Sequence, residues 1–146
     1  MIAQTIQLAL APVFVLVAIG NILNLLSSRL GRVVDRSRHL QGLHMATEGM
    51  EHDILVAEIR MIDKRIGLIT RAVSMLVTSG LSIGITVVVL FAQQLLGADL
   101  QLVAALAFVV AISLLMWALV LFMRETRVSA QQLRIPRGYL ELDRDL

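Results

Sequence analysis

The sequence predicts an all-α membrane protein: three transmembrane helices, with a cytosolic antiparallel helical hairpin formed by extensions of helices one and two. Three observations carry this expectation. The 146 residues are 58% hydrophobic and 16% charged, against about 45–50% and about 25% in soluble domains. The mean hydropathy is +0.82. The charges are also segregated, because residues 1–28, 72–98 and 100–123 carry none, together more than half of the chain. Each stretch matches the ~20 apolar residues that a helix needs to cross roughly 30 Å of hydrocarbon. A soluble enzyme, a disulfide scaffold and a disordered tail are therefore excluded. With no cysteine, neither disulfide nor thiolate chemistry is available.

The chain reads as a single domain, 1–146, with spans at about 5–27, 72–96 and 100–123, the hairpin at 28–71 and a cytosolic tail at 124–146. Helix one is expected from near Gln4 to Leu40, with Pro12 bending it or loosening a turn. At 1.5 Å per residue it is roughly 55 Å long, so its C-terminal third protrudes from the bilayer. Gln41-Gly42 should stop it. Thr47 is placed to cap the second helix, with Glu48 and Glu51 in its first turn. That helix should run from about Met50 to Leu96. Its Leu55, Ile59, Ile62, Ile66, Ile69, Val73 and Leu76 form a heptad seam across the water–lipid boundary. Helix one answers with Leu23, Leu26, Leu30, Val33, Ser37 and Leu40, which makes the pair an antiparallel hairpin. Asp99 caps the third span, expected to end near Arg124. Pro136, Gly138 and the charged run from Glu141 to Asp145 follow it.

Orientation follows from the basic residues. Residues 29–71 hold eight and the segment after Met123 holds five, whereas Gly97-Ala98-Asp99 holds none. The expected topology is N-terminus out and C-terminus in. Met1–Gln7 lacks the basic start of a cleaved signal, so the first span is read as retained. Net charge is only +2, and the loop mixes its eight bases with six acids. A nucleic-acid surface would show one sign, so nucleic acid is excluded as a partner.

A polar stripe lies on helix one. Phe14, Val17, Asn21, Asn24, Ser28, Gly31, Asp35 and Arg38 recur at three–four spacing, nearly opposite the leucine seam. Asparagines within a span are costly against lipid and should face protein or water. One reading is a pore lining of carboxamides at the centre of several subunits, with Arg32, Asp35 and Arg38 at its cytosolic mouth. The other is interhelical hydrogen bonding that fixes register. Arg29, Arg32, Arg36 and Arg38 serve as mouth or as positive-inside anchor, with Asp35 paired to Arg32 or Arg38. Span two carries Thr70, Ser74, Thr78, Ser82 and Thr86 at four-residue steps, plus Gly80 and Gly84. With Ala104, Ala107, Ala111 and Ala118 on span three, these point to close packing of spans two and three. The hydroxyl ladder is the alternative as a polar path. Trp117 reads as an interface anchor. His39, His44 and His52 share no helix face and show no zinc pattern; they read as solvated or pH-sensitive loop residues. No nucleotide-binding, hydrolase or metalloprotease motif is present, and every acid lies outside the expected spans. No enzyme activity, metal or cofactor is expected.

The opening span with Pro12, the Gly20-Asn21-Ile22-Leu23-Asn24 segment and Arg29-Leu30-Gly31-Arg32-Val33-Val34-Asp35-Arg36-Ser37-Arg38 resemble a known family. The chain is similar to the small bacterial membrane proteins of domain of unknown function 2721, over about residues 5–125. The resemblance implies three spans in a bacterial inner membrane, and no activity or catalytic residue. Two functions remain open: a homo-oligomeric, channel-like protein for small ions with helix one at the axis, or a non-conducting assembly or regulatory subunit whose hairpin holds a cytosolic or membrane protein partner. The lipid bilayer and further copies of the chain are the expected partners.

Overall fold

The computed structural model describes residues 2–132 and is helical over nearly all of that range. It contains α1 (Ile2–His44), α2 (Gly49–Leu96) and α3 (Gln101–Gln132), with no strand among the described residues. At 1.5 Å per residue, α1 is about 65 Å long, α2 about 72 Å and α3 about 48 Å. All three are long and apolar enough to cross a membrane. Pro136, Gly138 and the charged run from Glu141 to Asp145 lie outside the described residues, as do Arg134, Arg137 and Arg144.

Three boundaries differ from the sequence reading. α1 passes through Gly42 to His44. A glycine inside a helix costs only about 1 kcal/mol relative to alanine, and the left-handed glycines are instead Gly49 and Gly97. Thr47 does not cap α2: its hydroxyl donates to the Leu43 carbonyl at 3.4 Å, and Glu48 holds the cap position with extended backbone and no side-chain cap bond. α3 continues about two turns past Arg124. Charge ends an apolar span, but nothing from Arg124 to Gln132 breaks a helix. Between α2 and α3, Gly97 adopts φ 64° and donates its N–H to Gln93 O. Leu100 holds the cap position of α3, its carbonyl accepting from the Ala104 N–H, and Asp99, expected as the cap, sits one residue earlier with its Oδ1 accepting from the Gln101 N–H at 3.3 Å.

α2 packs along both α1 and α3, and its sequence shows how. Leu55, Ile62, Ile69, Leu76 and Ile83 recur every seven residues and are buried, and so are Ile19, Leu26, Val33 and Leu40 of α1. Near the α1–α2 turn, between charged residues, each such side chain gains about 1.5–3 kcal/mol from leaving water. Within the charge-free stretches lipid is as apolar as leucine, so close packing alone holds the seam. A second seven-residue line on α2, Ala72, Ser79 and Thr86, is matched on α3 by Ala104, Ala111 and Ala118. Ser79 Oγ donates to the Ala111 carbonyl at 2.7 Å, which alanine's small side chain permits. Residues of α1 and α2 that meet recede from the turn in step. His44 faces His52, Arg36 reaches Glu58, and farther along Arg29 and Arg65 share one acceptor.

Candidate functional site

That acceptor is Glu125. A further step of seven from Ala118 places it on the α3 line that faces α2, where a carboxylate would be costly without partners. Its side chain is 0% exposed. Arg29 of α1 donates from Nη1 to Oε2 at 3.0 Å. Arg65 of α2 donates to Oε1 from Nε at 3.1 Å and from Nη2 at 3.0 Å. One carboxylate thus ties all three helices together. Phe122, one turn earlier, supports the pair from below, with the Arg29 guanidinium carbon 5.0 Å from its ring centroid. The arginines are 29% and 18% exposed, so their outer edges still reach solvent.

Beside this cluster lies a cavity of about 240 Å³ lined by Arg29, Arg32, Val33, Arg65 and Ser129. All three helices contribute to it. Three guanidiniums border it against the single carboxylate of Glu125, an excess of positive charge in a partly enclosed space. At the opposite end, near the α2–α3 turn, an apolar cavity of about 270 Å³ lies between the helices, with Pro12, Thr86 and Phe108 in its wall. Pro12 lacks the N–H that would bond the Leu8 carbonyl, yet α1 continues through it.

Asn21, Asn24, Ser28 and Asp35 are all exposed, on the side of α1 turned away from its buried seam. Phe14 and Val17 extend that face and are exposed as well. The expected pairing of Asp35 with Arg32 or Arg38 is absent among the described residues, where the ion pairs join different helices. Helix–helix packing, not helix-surface spacing, selects the partners. Arg36 donates from Nε and Nη2 to Glu58 Oε1 at 2.9 and 2.8 Å on an open surface, and Arg38 is exposed. Ala104 and Ala111 are buried and Ala107 half-buried. Gly80 faces α1 instead of α3: a Cβ there would lie 3.6 Å from Leu16 and 3.9 Å from Ile19, while one at Gly84 would meet nothing. The ladder hydroxyls of Thr78, Ser82 and Thr86 donate to carbonyls four residues earlier, Ser74, Thr78 and Ser82.

The chain matches a family model described as "Protein of unknown function (DUF2721)" over residues 9–135. It belongs to this family. The DUF2721 match takes in Arg29, Arg32, Arg65, Glu125 and Ser129, so the whole cluster lies within the family's extent. No curated protein matches the chain, and no solved structure does.

Reading residues alone missed Glu125, Arg65 and the Ser79 bond. By sequence Glu125 falls in the tail, because charge after an apolar run marks the end of a span. The usable signal was the alanine period, which runs from 104 through 111 and 118 directly to 125. Arg65 likewise lies one step of seven before Ala72, Ser79 and Thr86, the α2 line that meets α3, but the mixed residue types on that line mark it less plainly in the sequence. The turn also brings His44 and His52 together, ring centroids 4.6 Å apart, although no shared helix face predicted it. No group of three metal-ligating side chains is found among the described residues.

Proposed function

We propose that this chain is a small homo-oligomeric protein of a bacterial inner membrane that forms a channel-like path for small ions, with α1 at the axis. The observation that supports it is the exposed polar face of α1. Asn21 and Asn24 lie inside a charge-free stretch, and turned towards lipid they would leave carboxamides unsatisfied. A second copy of the same face, or a water-filled axis, removes that cost. In this reading the N-terminus and the α2–α3 turn face out, the basic segments face the cytosol, and α1 and α2 extend there as an antiparallel hairpin. The chain acts without enzymatic chemistry. Asn21→Leu with Asn24→Leu should alter ion flux in liposomes and shift the stoichiometry seen by native mass spectrometry. Unchanged flux refutes the conducting role.

A second reading rests on the turn between α1 and α2. Met45, Met50 and Ile54 are exposed there, Met45 at 92%, a flexible apolar patch of the kind that docks a partner protein. In that reading the chain is a non-conducting assembly or regulatory subunit. A partner that co-purifies with the wild-type chain should then be lost on Met45→Ser with Met50→Ser.

A further inference from the structure

We propose that the cavity bounded by Arg29, Arg32, Arg65 and Ser129 binds a phosphate group, presented by an anionic phospholipid. The chemistry of the lining points to a compact polyanion. Guanidinium forks match phosphate oxygens in a bidentate manner and hold them more strongly than neutral donors do. Two of the three forks are fixed before any ligand arrives, because Glu125 holds Arg29 by Nη1 and Arg65 by Nε and Nη2. Pre-ordering removes part of the entropy cost of binding. Arg32 brings a further cation that has no ion pair among the described residues, and Ser129 brings a hydroxyl. Glu125 lies behind these groups and neutralises only one of the three charges.

Depth decides between the sources of such a phosphate. Arg29 is the first charged residue after the charge-free stretch 1–28, and Glu125 and Ser129 follow closely on the stretch 100–123. With the helices across a bilayer, the cavity sits at headgroup level, where basic pockets between helices take up lipid phosphates. Leu25, one turn before Arg29 on the same face of α1 and exposed, offers apolar surface for acyl chains. Inorganic phosphate presents the same oxygens from water without those chains. The site lies within one chain, so it stands whether or not α1 lines a pore.

The test uses the full-length protein, delipidated in mild detergent. Binding of phosphatidylglycerol, of diacylglycerol (which lacks the phosphate) and of inorganic phosphate is measured by native mass spectrometry and thermal shift. Arg32→Ala and Ser129→Ala serve as variants, since neither residue takes part in the Glu125 ion pairs. The expected result is retention of phosphatidylglycerol but not diacylglycerol, with affinity falling about tenfold or more in Arg32→Ala. Protection by inorganic phosphate alone, lost in the same variant, keeps the phosphate site and overturns the lipid as its source. Equal binding of phosphatidylglycerol and diacylglycerol, or binding unchanged in the Arg32→Ala/Ser129→Ala double variant, overturns the proposal.

Discussion

Glu125→Ala is the substitution to which the fold should be most sensitive. It removes the acceptor of three charge-assisted hydrogen bonds and leaves two guanidiniums facing each other at the point where three helices meet. Breaking a fully buried ion pair by deleting one partner costs about 3–5 kcal/mol. Arg29 and Arg65 retain 29% and 18% of their side-chain exposure and regain some solvation, which places the loss at the lower end, about 3 kcal/mol. Unfolding in mixed micelles, titrated with an anionic detergent and followed by Trp117 fluorescence, reads this directly. Arg65→Ala should also destabilise, but much less on the Glu125→Ala background, because the acceptor is already gone. Replacing the cluster with apolar residues, as Arg29→Met, Arg65→Met and Glu125→Leu together, should come close to wild-type stability. A loss below about 1 kcal/mol for Glu125→Ala, or strict additivity with Arg65→Ala, would refute the view that the carboxylate clamps the helices.

Three further substitutions probe the two contacts of α2. Ala111→Leu should cost about 1–3 kcal/mol by overpacking the α2–α3 contact, whereas Ser79→Ala, which deletes only the 2.7 Å bond to the Ala111 carbonyl, should cost about 0.6 kcal/mol; the same titration compares them. Arg36→Ala should change stability by less than about 1 kcal/mol, because its pair with Glu58 is solvent-exposed, and a larger loss would show that the α1–α2 extension depends on that contact.

Much of the architecture was legible because period and polarity are local properties. Charge-free stretches marked the three apolar helices, and the seven-residue recurrence of Leu55, Ile62, Ile69 and Leu76 marked the face that α2 buries. The role of Asp99 at the start of α3 was legible to within one residue for the same reason, since its carboxylate bonds an N–H only two residues on. The errors arose where a residue's role depends on another helix. Gly80 is expected against α3 by sequence but meets Leu16 and Ile19 of α1, because small residues announce close approach without naming the partner. Spacing along one helix predicts a partner for Asp35 there, while the bonds that form reach from Arg29 and Arg65 to α3. The polar face of α1 was identified from spacing alone, and its Asn21 and Asn24 are exposed.

The two seams hold α2's neighbours differently, and Glu125 compensates for the difference. Alanine at 104, 111 and 118 lets α3 approach α2 closely, and at Ala111 closely enough for the Ser79 hydroxyl to bond the backbone carbonyl. α1 meets α2 through larger side chains such as Ile19 and Leu26. These require a wider separation, and within lipid they supply no hydrophobic drive. α1 and α3 have no extensive contact of their own; the Arg29 bond to Glu125 and the stacking on Phe122 join them. Arg29 is therefore the residue that ties α1 directly to α3, in addition to the seam that holds α1 on α2. It also borders the cationic cavity, so an anion bound there would add a second tether between α1 and its neighbours. Because the polar face of α1 points away from the seam, holding that helix in a fixed rotation also fixes where Asn21 and Asn24 are presented.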